Sequence, residues 1–268
     1  MWPVAATIPE WVPLVGGAPL FTYGLLLGLA LVAGYRVAMT LAAPALGTSA
    51  PRLVLLSTGI VGAVGARLLP SLFDDGHDGE GLLTSGGVAY GGLLGGLAGL
   101  LASARLLKVS ATLMVDAAVV GAALGLGVVR LGCLLHGCDY GLAAAGPLAL
   151  VYPPWDGPHP TALVHSAGGA VVPVQALESL VGFGLFSAGL AGWGRLRPGW
   201  LGLGFFGLYS VARFGLEAIR GDADRGVDPL GVGLSTAQVT AATVFLACAA
   251  LVALDGSPKK QPDSKKGA

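Results

Sequence analysis

Between Arg130 and Gly141 the chain places a guanidinium, two thiols (Cys133 and Cys138), an imidazole (His136) and a carboxylate (Asp139) at the end of a long apolar run. Hydrocarbon penalises each of these groups unless it is paired or faces water, so such a cluster marks a functional site. A second set follows later in the chain. Tyr209, Arg213, Glu217 and Arg220 recur at i, i+4, i+8 and i+11, which lines them along one helix face. A lipid-facing helix does not carry that stripe, so the face is expected to meet a cavity. Two arginines beside one glutamate leave positive charge for an anion. Arg130 and Arg213, from different apolar segments, are expected to clamp an anion such as a phosphate, because a guanidinium stays charged and can bind two phosphate oxygens at once. Glu217 is expected to hold Arg213 in its rotamer. Stabilising charge on a leaving phosphate also lowers the barrier to displacement at the carbon it leaves. The bland alternative is structural: Arg67, Arg130 and Arg213 paired with Asp116, Glu178 and Glu217 as buried ion pairs.

A thiol becomes a nucleophile only as thiolate. The candidate bases for that step are His136, whose ordinary pKa suits proton transfer near neutrality, Tyr90 and Cys138 as thiolate. Nearby arginines favour any of these anions, and burial opposes them. Cys133 and Cys138 leave other readings open. They can form a disulfide across Gly137, which their five-residue spacing permits only on a bent backbone. One of them can be a covalent nucleophile. Zinc on Cys133, His136 and Cys138 needs a fourth ligand, such as His77, His159 or His165, and the spacing matches no strong zinc motif. Cys248 lies in an apolar run and reads as a structural thiol.

The elements that must position these groups are membrane helices. Of 268 residues, 54% are hydrophobic and 11% charged, the mean hydropathy is +0.76, and the apolar residues fall in runs long enough to cross a hydrocarbon core. The 45 glycines argue for a tight bundle, since small residues let helix backbones approach closely. The expected fold is all-α: a polytopic membrane domain over residues 1–255, with spans at 19–39, 53–73, 86–106, 111–135, 171–194, 200–219 and 236–254, and a basic tail at 256–268. The first residues carry no basic leader and no small-residue cleavage site, so the first span is expected to be retained. Arg36, Arg52, Arg105, Lys108, Arg195, Arg197 and the lysines of the tail fall on one side. Arg220 and Arg225 fall on the other, so the N-terminus is expected outside and the C-terminus in the cytoplasm. The connection at 139–170, rich in Pro and Gly, is expected to form an outer lid or head region. The acidic stretches at 74–80 and 222–228 read as solvated loop tips, without the spacing of a calcium-binding loop. Trp2, Trp11, Trp155, Trp193 and Trp200 flank spans as interfacial anchors do.

In ordered motifs from Tyr23 to Arg220 the chain resembles the bacterial prolipoprotein diacylglyceryl transferases. Tyr23 and Gly24 resemble a Tyr-Gly pair of that family, and Gly65, Ala66 and Arg67 its Gly-Gly-Arg. The run from Gly86 to Gly92 resembles Gly-Gly-x-x-x-His-Gly-Gly, with Tyr90 in place of His. Arg130 to Gly141 resembles the signature Arg-x-Gly-Asn-x-x-Asn-Gly-Glu-x-x-Gly, with Cys133 and His136 at the Asn positions and Cys138 at the Glu position. Pro173, Gln175 and Glu178 match a Pro-x-Gln-x-x-Glu segment whose preceding His is here Val172, and Tyr209, Arg213, Glu217 and Arg220 match the sixth span.

The resemblance implies a seven-span inner-membrane enzyme that moves the diacylglyceryl group of phosphatidylglycerol onto the lipobox cysteine of a prolipoprotein and releases glycerol phosphate. It implies no cofactor and no nucleic-acid partner. Its phosphate-binding residues would be Arg130, Arg213, Arg67, Tyr23 and Tyr209, and its catalytic set Arg130, Arg213, Glu217, Tyr90, His136, Cys133 and Cys138. The alternatives are a non-catalytic phospholipid-binding or transport paralogue, and a thiol-disulfide oxidoreductase using Cys133 and Cys138.

Overall fold

The structure is a computed structural model that describes residues 4–7, 19–71, 88–152, 169–221 and 231–255. Along the chain run β1 (Val4–Thr7), β2 (Pro19–Phe21), α1 (Thr22–Leu46), α2 (Ser49–Ser71), α3 (Val88–Leu106), α4 (Ala111–His136), β3 (Leu150–Val151), β4 (Ala170–Val171), α5 (Val174–Gly192), α6 (Trp200–Glu217) and α7 (Thr236–Asp255). Each expected span coincides with a helix. Five of these, α1, α2, α4, α5 and α7, are long and apolar enough to cross a membrane. The all-α expectation overlooks two short antiparallel pairs, β1 with β2 and β3 with β4. Helix α1 runs on to Leu46 through Pro44, so Arg36 lies within a helix and not in a connection. Trp2, Trp11, Trp155, the acidic stretches at 74–80 and 222–228, His77, His159, His165, Arg225 and the basic tail lie outside the described residues.

The outer faces of the helices are apolar: Leu31, Ile60, Leu180 and Leu246 are each more than half exposed. In water that surface would be an association liability, whereas lipid solvates it. Hydroxyls on the helices are satisfied locally. Thr40, Thr58, Ser103, Ser187, Thr240 and Thr243 each donate to the carbonyl four residues back, as hydroxyls without access to water must.

The chain divides into two compact units. One comprises Tyr35–Gly121 and Gly192–Leu203 among its described parts. Its core is Ala38, Ala42, Val54, Leu100, Ala104, Met114 and Ala117, and its tightest contact is between α2 and α3. Gly91, Gly95 and Gly99 repeat every fourth residue along α3, and a Cβ on Gly95 would stand 2.6 Å from the Val61 carbonyl oxygen. Backbone meets backbone there, the packing that small residues permit in membranes.

In the same unit Asp116, weighed above as the partner of a buried arginine, is a cap instead. Its carboxylate accepts the backbone N–H of Gly199 and of Gly202, both at 2.7 Å, at the start of α6. A helix N-terminus carries unpaired N–H groups and partial positive charge, so a buried carboxylate is stable there without a guanidinium.

The second unit takes in Met1–Gly34, Ala122–Ala191 and Gly204–Gly256. Within it, α4 and α5 cross at Gly127 and Gly182, where Ser179 donates to the Gly127 carbonyl at 2.7 Å. Helix α7 opens with a capping box: Ser235 Oγ accepts the Gln238 N–H at 3.2 Å, and Gln238 Oε1 accepts the Ser235 N–H at 3.1 Å.

Replacing Asp116 with Ala strands two buried N–H groups and is expected to destabilise the protein by about 1–3 kcal/mol. Asn, which keeps one acceptor oxygen, is expected to restore part of the loss. Thermal unfolding in detergent measures both, and an alanine variant as stable as the parent contradicts the capping role.

Candidate functional site

The site lies within the second unit and is built where α4 and α6 end and α5 and α7 begin. Helix α4 stops at His136 because Gly137 adopts a positive φ of 91°, with its N–H on the Cys133 carbonyl at 2.7 Å. Asp139 follows with φ 57°, an uncommon left-handed residue of a type that tolerates the region. The chain is then pinned on two sides by backbone hydrogen bonds. Gly141 N–H donates to Val172 O at 2.9 Å, Leu142 N–H to Ile219 O at 2.9 Å, and Gly221 N–H to Tyr140 O at 3.0 Å. Gly141, the last residue of the signature, is required there because a Cβ would come within 2.6 Å of the Val172 oxygen. The effect is to hold Asp139 beside the ends of both α4 and α6.

Three guanidinium groups and three carboxylates meet at this point. Arg130 on α4 contacts Asp139 through Nη1 at 2.5 Å and Glu178 on α5 through Nε at 2.9 Å. Arg213 on α6 contacts the other Glu178 oxygen at 3.4 Å and Glu217 at 2.8 Å. Arg220 closes the ring with Asp139 at 2.8 Å and Glu217 at 4.0 Å. Tyr209, one turn before Arg213 on α6, lies within the electrostatic reach of Arg130. The ring is formally neutral, and its three acids are not equivalent. Glu178 and Glu217 keep 1% and 3% of their side-chain surface, whereas Asp139 keeps 31%. Burial raises the Asp139 pKa, but Arg130, Arg220 and then Arg213 outweigh it and hold the carboxyl below its usual range.

Around the ring sit the remaining candidates. Cys133 Sγ lies 3.7 Å from Asp139 Oδ2 and 3.9 Å from Arg130 Nη1. Cys138 turns back to place its sulfur 3.9 Å from the Cys133 carbonyl. Its thiol is pushed well up, first by its hydrogen bond to the Cys133 sulfur and then by burial, so Cys138 is the protonated partner. The sulfurs and an Asp139 oxygen lie within 4.8 Å of one another. That grouping has the donors for a soft cation, but its carboxylate is already held by two guanidinium groups. The His136 ring packs against Tyr23 with centroids 6.0 Å apart, at the end of α4.

A buried amide ties the Cys138 turn to α5. Gln175 Nε2 donates to the Cys138 carbonyl at 2.7 Å and to the Tyr152 hydroxyl at 3.1 Å. Burial pushes the Tyr152 phenol up to about 12 despite the Gln175 contact, so it serves as a neutral hydrogen-bonding group.

The structure thus brings Arg130, Arg213, Glu217, Tyr209, Cys133 and Cys138 into one cluster, with Tyr23 and His136 in contact beside it. Arg67 lies in α2 and Tyr90 in the first turn of α3, and their side chains lie outside the described residues. Asp139, Glu178 and Arg220 complete the ring; the sequence marked them as charged groups of the cluster, the stripe and the motifs but not as members of the phosphate-binding or catalytic sets. For Asp139 a signal existed: the residue at the Glu position of the signature is Cys138, and a carboxylate stands one place later.

Long apolar helices whose ends enclose paired arginines and acids define a multi-pass helical membrane protein with a polar site at the helix ends. Residues 9–254 match the family model described as prolipoprotein diacylglyceryl transferase. The chain belongs to that family.

Among its relatives, a phosphatidylglycerol-prolipoprotein diacylglyceryl transferase of Dehalococcoides mccartyi is 32% identical over 60% of this chain and 56% of its own length. One from Clostridium perfringens is 29% identical over 52% of each chain. One from Deinococcus radiodurans is 28% identical over 83% of this chain and 78% of its own. The chain thus spans little more than half the length of the first two of these relatives.

The depressed Asp139 pKa fixes a sign for pH dependence. Its stabilisation is fully present above the unfolded carboxyl value of roughly 3.9 and is lost as pH falls through the lower folded value. Asp139→Asn is therefore expected to unfold at lower temperature than the parent at neutral pH, with the gap closing in acid. A gap that persists unchanged at pH values below the folded pKa contradicts the ion-pair assignment.

Proposed function

We propose that this protein transfers the diacylglyceryl group of phosphatidylglycerol to the cysteine thiol of a prolipoprotein at the Arg130, Arg213 and Arg220 cluster. The observation that carries the reading is the meeting of Arg130 and Arg220, at the ends of α4 and α6, on the two oxygens of one carboxylate, Asp139. Guanidinium groups that share one anion are spaced to share a second. Family membership favours this reaction over the lipid-transport and oxidoreductase alternatives.

Charge balance decides where the phosphate goes. The ring is neutral with all three acids in place, and adding a phosphodiester to it would leave an uncompensated anion in a poorly polarisable site. Asp139 is the acid with a route to water. When it turns outward, Arg130 and Arg220 are left short of one negative charge, and the lipid phosphate supplies it. Glu178 and Glu217 stay buried and keep the guanidinium groups aimed.

The acceptor thiolate then attacks the glyceryl carbon that bears the phosphate ester. A carbon-sulfur bond forms, the carbon-oxygen bond breaks, and glycerol phosphate leaves with the electron pair. The guanidinium groups stabilise the charge that grows on the departing phosphate. The thiol proton passes to a base, for which His136 and Tyr90 are the candidates while the protonated Cys138 is not, or to the phosphate itself.

In this reading α3 and α6 also cross the bilayer, giving seven spans in the bacterial plasma membrane with the N-terminus outside and the C-terminus in the cytoplasm. The clustered helix ends then lie at the outer leaflet, where a phosphatidylglycerol headgroup and a prolipoprotein signal segment both arrive.

The test is expression in cells depleted of their own transferase, with radiolabelled phosphatidylglycerol and a model prolipoprotein. Transfer of label to the lipobox cysteine is expected. Arg130→Ala and Arg220→Ala are each expected to lower it by a factor of about 100 or more, the scale of losing an oxyanion-stabilising donor. Absence of transfer by well-folded parent protein, or full turnover by Arg130→Ala, refutes the proposal.

A further inference from the structure

A thiol pair lies directly beneath the acid that must move. In an unbroken helix residues 133 and 138 would lie some 140° apart around the axis and face different neighbours. They meet only because Gly137, at φ 91°, ends α4 and folds the chain back. The same turn carries Asp139, the next residue after Cys138. The Cys138 carbonyl is fixed by Gln175 at 2.7 Å, and Gly141 is bonded to Val172. The hinge that frees Asp139 is therefore confined to a few bonds around residues 137–140.

We propose that Cys133 and Cys138 form a reversible disulfide that locks Asp139 onto Arg130 and so closes the anion site. The inference rests on the exchange of Asp139 for phosphate proposed above. With both sulfurs within 4.8 Å of each other, side-chain rotation and a small shift of the turn bring them to bonding distance. The oxidant is a disulfide of the glutathione or thiol-exchange-protein class. One thiolate attacks it, forming a mixed disulfide and expelling the first thiolate. The other cysteine then attacks its partner's sulfur in that mixed disulfide and expels the second. The two electrons go to the oxidant, and the two thiol protons go to the expelled thiolates. In the bonded form Cys138 is tethered to the end of α4, and Asp139 cannot swing outward. The bond is a modification of the site and not a step of turnover.

The experiment equilibrates the full-length protein in detergent with glutathione of increasing oxidised fraction, blocks remaining thiols in acid, and maps the peptides. The expected product is a Cys133 to Cys138 crosslink that dithiothreitol reverses, with Cys248 in α7 still alkylated as an internal reference. Amide hydrogen exchange across 137–142 is expected to slow by about tenfold in the oxidised form, as a tethered turn opens less often. Cys133→Ser removes both the crosslink and the change in exchange. Full alkylation of both cysteines in fully oxidised glutathione overturns the disulfide, and a crosslink without slower exchange overturns the lock. Both readouts are independent of transfer. An active site that never transfers lipid would count against the proposed function while the crosslink and exchange data stood on their own.

Discussion

The structure depends on the cost of holding charge at the ends of apolar helices. An isolated ion in a poorly polarisable setting is unstable by several kcal/mol, and removing one member of a buried pair exposes that cost in full. Here Arg130, Arg213 and Arg220 meet Asp139, Glu178 and Glu217 in a neutral ring. The other features of this unit serve the ring. The Gly137 turn and the pinned strand from Gly141 deliver Asp139, the contact of Gly127 with Gly182 sets how α4 meets α5, and the α7 cap places Ser235 Oγ 3.0 Å from Glu217.

A site so fully paired is poised and not idle. Two of its acids are sealed, and one reaches water. Binding an anion then needs no new charge, only an exchange of one anion for another on guanidinium groups that are already aimed. Such preorganisation reduces what the substrate must rearrange, which is the main route by which electrostatic sites accelerate reactions. It also lets an arginine cluster that the proposed reaction would use to hold phosphate stand stably without it.

Much of this was legible in the sequence. The apolar runs at 19–39 through 236–254 coincide with helices, five of them long and apolar enough to cross a membrane, where a crossing segment must be helical. Tyr209, Arg213 and Glu217 follow one face of α6, as their spacing requires, whereas Arg220 falls past the end of that helix, in a bridge to Gly141, and reaches the ring from there. Charge partners were harder to read. Asp116 and Glu178 look alike as buried acids in apolar runs, yet one caps a helix start at Gly199 and Gly202 while the other bridges two arginines. That difference is set by which helix end each one faces, a tertiary fact that periodicity does not carry. Asp139 was hidden for another reason. Its place in the ring depends on a left-handed residue and a glycine turn, and a motif read position by position sees only that Cys138 is not Glu.

The central claim is that phosphatidylglycerol takes the place of Asp139 on Arg130 and Arg220. The most direct measurement compares phosphatidylglycerol affinity of the parent and of Asp139→Asn by native mass spectrometry in a neutral detergent, with phosphatidylcholine as the control lipid. The account predicts that the amide variant, which no longer neutralises the guanidinium groups, binds phosphatidylglycerol about tenfold or more tightly, equivalent to about 1.4 kcal/mol, with no change for the control. Equal affinity in the two proteins, or an equal gain for phosphatidylcholine, would contradict it.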